Sequence, residues 1–282
     1  LREIFWGVSE SQHLVDVINQ RDLAVGGQGY VKMGQPMLAL AALQRWGIVK
    51  LILMPWFRER RFDGRAGQLW SPTPVDATQP VYESGARGSH LDWAIRWSRT
   101  IGDWDFGLSH FSGTRREPGF LPGKDTSDRA VLVPYYEVVQ QTGLDVGWTR
   151  GKWLWKLEAV TLDPMNGRYF ATVGGLEYAF ADYFSLFAEY LFDSRGDAAT
   201  TSFADDLFVG ARLLLQDGHM EGGAFVDRET WNSVLRLAVT WRLDSAATLA
   251  VEAGTFLGDE SLEPALAPSQ HDYLSLAVTR YF

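Results

Sequence analysis

The sequence predicts an all-β protein, an antiparallel transmembrane β-barrel whose apolar surface faces lipid. Three observations lead there. Apolar and polar residues alternate with period two over most of the chain, the connections between alternating runs are short and long by turns, and aromatic residues gather at the run ends. Of the 282 residues, 46% are hydrophobic and 13% aromatic, too apolar for a disordered chain. Yet no run reaches the roughly 18 uncharged apolar residues that a spanning helix needs. Any passage through a membrane therefore falls to strands.

His90 to Ile101 shows the rhythm. Leu91, Trp93, Ile95, Trp97 and Ile101 share one face, which Arg99 interrupts, and His90, Asp92, Ala94, Arg96, Ser98 and Thr100 share the other. From Val234 to Leu243 the apolar face is Leu235, Leu237, Val239, Trp241 and Leu243, against Arg236, Ala238, Thr240 and Arg242. Lys152 to Leu162 repeats the pattern, with Trp153, Trp155, Leu157 and Ala159 against Lys156 and Glu158. Extended along the chain, the alternation gives about 14 strands. They lie near 2–8, 37–46, 48–58, 90–101, 104–112, 134–149, 152–162, 168–180, 183–193, 205–216, 219–227, 232–243, 246–257 and 271–282.

Short turns fall at Trp46-Gly47, Gly102-Asp103, Arg150-Gly151, Ala181-Asp182, Asp217-Gly218 and Asp244-Ser245. Most connections between them are longer: 9–36, 59–89, 113–133, 194–204 and 258–270. Short turns on one rim and long loops on the other are the habit of outer-membrane barrels. Within loop 9–36, Leu14, Val17 and Ile18 recur at helical spacing behind Ser11, which predicts one short helical patch docked on the wall. No linker or charge tail divides the chain, so residues 1–282 read as a single barrel domain. The start at Leu1, inside what looks like a strand, suggests that N-terminal strands and a signal peptide are absent.

A membrane barrel turns its apolar face outward and encloses a polar lumen. Two belts support that orientation: Trp46, Trp104, Trp148, Trp153, Tyr183 and Phe184 near the short turns, and Trp56, Phe57, Tyr135, Tyr136, Tyr169, Phe170, Tyr190 and Phe192 near the loops. The net charge of -9 argues against a nucleic-acid partner, and the absence of cysteine removes disulfides and thiolate chemistry.

The C-terminal run Leu274, Leu276, Val278 and Phe282 resembles the signal by which bacterial outer-membrane barrels meet their assembly machinery, with Arg280 departing from it. Near the front, Trp6-Gly7-Val8-Ser9-Glu10-Ser11 and Asp16-Val17-Ile18-Asn19-Gln20-Arg21-Asp22 resemble a segment of proteobacterial outer-membrane porin-like barrels, distantly similar to the alginate-export type. Gln20 stands where many of those relatives carry Pro. The resemblance implies a bacterial outer-membrane location and passive or facilitated diffusion, with no settled substrate. The expected partners are outer-membrane lipid and lipopolysaccharide, the assembly machinery through Phe282, and a small polar solute. No cofactor and no metal is expected.

On such a barrel the polar positions line the lumen. The cations there are Lys50, Arg96, Lys156, Arg212, Arg236 and Arg242; the anions are Asp92, Glu137, Asp145, Glu158, Glu177, Glu189 and Glu252. The near balance implies no strong ion selectivity, and cross-strand pairing that braces the wall is the plainer reading of any one of them. In loop 9–36, Asp16, Asn19 and Asp22 are candidates for a constriction, or they tie the loop's own turns. Arg58, Arg60, Arg61 and Arg65 fit lipopolysaccharide, an anionic solute or plain solvent. Asp205-Asp206 is a weak cation candidate. Enzyme readings find little support: Ser109 and His110 are adjacent and point to opposite faces, and Ser112 shares its face with lipid contacts. A channel for small polar or anionic solutes is therefore expected, with a plugged structural or adhesion barrel, and then a lipid-acting enzyme, as competitors.

Overall fold

A computed structural model describes residues 5–22, 31–62, 73–164, 167–196, 205–258 and 272–281. Period-two alternation becomes strand almost everywhere. The strands are β1 (Gln20–Asp22), β2 (Val31–Met33), β3 (Leu38–Gln44), β4 (Gly47–Met54), β5 (Val81–Tyr82), β6 (Asp92–Ile101), β7 (Trp104–Thr114), β8 (Gly119–Lys124) and β9 (Ala130–Tyr136). They continue with β10 (Val138–Arg150), β11 (Trp153–Asp163), β12 (Tyr169–Ala181), β13 (Phe184–Asp193), β14 (Asp205–Leu215), β15 (Gly218–Asp227), β16 (Ser233–Arg242), β17 (Ala247–Leu257) and β18 (Tyr273–Arg280). The main sheet holds 13 of them, in the order β3-β4-β6-β7-β10-β11-β12-β13-β14-β15-β16-β17-β18. Most of its pairs are hairpin neighbours, as in Phe187 opposite Gly210 and Leu237 opposite Ala253, while β4 pairs with β6 and β7 with β10 across longer connections.

Every expected strand from residue 37 onward is present, with ends within four residues of the expected ones. The first is not: residues 5–8 form no strand. The patch at 11–19 is not helical either, but a run of bends and turns. β-Branched Val15, Val17 and Ile18 disfavour a helix, and the amides of Glu10, Ser11 and Val15 donate to distant carboxylates instead of to a helical ladder. Small sheets occupy the long connections, β1 with β2 and β5-β9-β8.

The chain divides into two compact units, one of residues 1–8, 13–146 and 157–172, the other of residues 9–12, 147–156 and 173–282. In the first unit the buried cluster joins strand residues Ile52, Met54, Ala94, Phe111, Val139 and Val160 to Trp6, Val15 and Ile18 of the N-terminal segment, with Leu14 and Val17 packed beside them. The expected docking of the apolar patch on the strands is thus present, without the helix. Gly143 makes room for it: a Cβ there would lie 2.9 Å from the Val15 side chain.

Polarity is inverted in both units. In the first, Asp92 and Glu158 are fully buried while Leu40 and Leu91 are each 55% exposed. In the second, Glu189 is 1% exposed, whereas Trp155 is 46% and Leu276 68% exposed. A water-soluble sheet would have this the other way round. The belts largely hold, with Trp46, Trp56, Trp104, Trp153, Phe170, Tyr183, Tyr190 and Phe192 exposed. Phe57 and Tyr136 leave the belt: both are buried, ring against ring at 5.0 Å, and the Tyr136 hydroxyl accepts the Arg60 amide. Loop sheet β5-β9-β8 supplies that aromatic nucleus, which alternation did not foresee.

Candidate functional site: the charged inner face

Strand register sorts the inward positions into rows. On β13 to β18 one row reads Phe187, Gly210, Gly223, Arg236, Gly254, Tyr273, and the next Ser185, Arg212, Glu221, Ala238, Glu252, Ser275. Apolar residues alternate with these on the opposite face, so charge is concentrated on the buried side.

In the second unit the charges converge on Glu10. Its carboxylate accepts from Lys156 Nζ at 2.6 Å and from Arg212 Nη2 at 2.5 Å, one oxygen for each cation. Lys156 also binds Glu177 at 2.8 Å, and Arg212 Nε binds Glu221 at 3.0 Å. Beneath both cations lies the Phe187 ring, 6.0 Å from Nζ and 5.6 Å from the guanidinium carbon. Glu189 holds the backbone of the same segment, its two oxygens accepting the Glu10 and Ser11 amides at 2.8 Å each, and the Ser11 hydroxyl. Gly175 permits this: a Cβ there would sit 2.4 Å from Glu189 Cγ.

In the first unit Glu158 does the equivalent work. It accepts the Val8 amide at 2.8 Å and the Val15 amide at 3.2 Å, with His13 Nδ1 3.6 Å away. Gly7 must be glycine, since φ is +115° and a Cβ would lie 2.5 Å from the Glu158 carboxylate. Two further pairs lie on this inner face. Arg96 reaches Asp145 at 2.6 Å, and Arg116 reaches Asp92 at 2.7 Å with its guanidinium over Phe57 and Phe111. Asp92 also accepts the Thr114 amide and the His90 ring nitrogen.

Of the residues singled out from sequence, Lys50 lies across from Arg96, Arg236 lies over the Phe225 ring at 5.1 Å, and Arg242 sits at the end of β16 opposite Thr248. Asp92, Arg96, Lys156, Glu158, Glu189 and Arg212 all occupy inward positions and are paired as described. Glu137 pairs with Arg115 at 3.2 Å. In loop 9–36, Asp16 binds Lys32 at 2.7 Å and Asp22 approaches Arg61 at 3.5 Å, while Asn19 adjoins the buried Ile18. Burial pushes the Asp16 carboxyl above the usual range, against the opposing pull of Lys32. Arg58 donates to the Gly34 carbonyl and Arg60 approaches Glu117, so part of the arginine cluster is spent on internal ties. Arg65 and Phe282 lie outside the described residues. Asp205 accepts from Tyr190 and Arg228, and no group of three potential metal ligands exists among the described residues. Ser109 is buried and donates to the Gly143 carbonyl, whereas His110 contacts Thr142 on the outer face. No nucleophile and base are brought together there.

Sequence reasoning missed Glu10, Lys32, Arg116 and Glu221. Glu221 belongs to the inward row of its strand and was legible by register. Glu10 lies in no strand; it stands in the Trp6–Ser11 motif, but strand alternation assigns it no role.

No protein-family model and no curated protein matches the sequence. Solved structures do match. An engineered variant of Rh. blastica porin aligns with a TM-score of 0.51 at 11% identity, covering 92% of this chain and 81% of that one. Another such variant gives 0.50 at 10%, covering 91% and 80%, as does a structure described as showing asymmetric conductivity of engineered proteins. The likeness is one of fold, and the fold is the porin-type antiparallel β-barrel.

Proposed function

We propose that this chain is a porin-like channel of a bacterial outer membrane, passing small polar or anionic solutes by passive or facilitated diffusion. The observation that carries the reading is the inversion of polarity: charge on the inner face of the strands, large apolar side chains and aromatic belts on the outer one. On this reading Lys50, Asp92, Arg96, Lys156, Glu158, Glu189, Arg212, Arg236 and Arg242 line the solute path. The exposed Arg58 and Arg61 meet lipopolysaccharide at the outer leaflet, and the C-terminal strand engages the assembly machinery. The resemblance of the Trp6–Asp22 segment to alginate-export-like porins supports the channel reading over an enzymatic one.

One observation favours a narrower variant. Residues 5–22 are tied to the inner face by two buried carboxylates, so this segment takes up space that an open lumen would leave to water. The channel is then a constricted one. Swelling of liposomes carrying the refolded protein tests both points. Uptake of small neutral sugars that falls steeply with solute size is the expected result. Absence of uptake for every solute would replace the channel with a plugged, structural barrel.

A further inference from the structure

We propose that Lys156, Arg212 and Glu189 form a binding site for a zwitterionic carboxylate of the acidic amino-acid type, and that Glu10 occupies it as an internal ligand. The inference rests on the channel reading and names the solute class that reading leaves open.

The argument is one of complementarity. Residue 10 is held at two ends: its carboxylate bridges Lys156 and Arg212, while its nitrogen donates to Glu189 Oε1. Free glutamate carries those two groups on the same skeleton, with an ammonium in place of the amide. A cationic nitrogen would pair more strongly with Glu189 than the neutral amide does, because charge-assisted hydrogen bonds are the stronger ones. The site is built rather than incidental: Lys156 and Glu189 are almost wholly buried, and Phe187 and Gly175 shape the space around them. Neighbouring Glu177 and Glu221 offset the two cations, which disfavours simple anions lacking an ammonium. Such a solute must displace a tethered competitor present at about millimolar effective concentration, so wild-type affinity should be weak and exchange fast. Weak, quickly reversed binding suits a passage.

The test compares wild type with Glu10→Pro, which removes both the residue 10 carboxylate and the N–H that occupies Glu189 Oε1; both are full-length, refolded in detergent and checked for the heat-modifiable migration of a folded barrel. L-Glutamate, glutarate and a neutral disaccharide are titrated by calorimetry, and potassium chloride conductance is recorded in planar bilayers. Glu10→Pro should bind glutamate at least tenfold tighter than wild type and glutarate far more weakly, and Lys156→Gln in that background should abolish binding. Should Glu10→Pro fail to fold, Glu10→Ala, which frees the two cations and keeps the amide on Glu189, takes its place, and there glutamate should bind at least tenfold tighter than wild type and Lys156→Gln should again abolish binding. A conducting barrel that binds no glutamate in either form overturns the site and leaves the channel reading standing. Equal affinity for glutamate and glutarate overturns the role given to Glu189. Tight glutamate binding by a barrel that does not conduct supports the site and removes the channel reading.

Discussion

Replacing Glu189 by Ala should release the front of the chain from the inner face. The carboxylate accepts three hydrogen bonds, from the Glu10 amide, the Ser11 amide and the Ser11 hydroxyl, and is 1% exposed. Hydrogen bonds to a charged acceptor contribute about 1.5 kcal/mol or more each, and buried donors left without a partner carry their full desolvation cost. Three such bonds amount to about 4.5 kcal/mol. The Glu10 carboxylate keeps its contacts with Lys156 and Arg212, so part of the docking survives; a net loss of about 3 kcal/mol follows for local opening, a hundredfold change in population. Hydrogen exchange by mass spectrometry on the refolded barrel reads this directly. Peptides covering residues 8–14 should exchange about a hundred times faster in Glu189→Ala, while those of β15 to β17 stay unchanged. Exchange of the 8–14 peptides within threefold of wild type would show that Glu189 does not hold the segment.

Three other outcomes follow from the same contacts. Arg116→Ala leaves the buried Asp92 carboxylate without its cation and should cost about 3–5 kcal/mol in guanidinium unfolding; pairing it with Asp92→Asn should restore part of that, and additive losses would refute the pairing. Leu237→Arg, on the outer face of β16, should cost about 2–4 kcal/mol in lipid, whereas Ala238→Arg on the inner face should cost much less, and the reverse order would contradict the assignment of faces. The folded-state pKa of Asp16 is raised, so its contribution to stability is fully present below the unfolded value of 3.8 and is lost as pH rises through the folded value. Stability measured relative to Asp16→Asn should therefore increase on acidification across that window, and a difference that falls instead would refute the burial of the carboxyl.

The main sheet was legible because its signal is local. Each strand of the main sheet carries its own alternation, and each inward charge follows from its parity along the strand. The loop strands were not legible for an equally physical reason: Gly119, Pro122 and Gly123 in β8 and Pro134 in β9 break the pattern that marks a half-buried strand. Strand parity places Glu158 and Glu189 inward, where both are buried, but carries no sign of their partners. Val8 lies 150 residues from Glu158, and Glu10 lies 179 residues from Glu189. Only the assembled sheet brings a buried carboxylate to an unpaired amide at such separations. The same distance effect explains Asp16, whose partner Lys32 sits across a loop that no periodicity describes.

Single-channel recording in planar bilayers bears most directly on the claim that the inverted face is a solute path. The refolded barrel should insert in discrete conductance steps, and Glu10→Gln, which removes a negative charge from the Lys156–Arg212 node, should shift the reversal potential in a salt gradient toward anion preference. A folded, inserted barrel that gives no steps in either form would contradict the account at its centre.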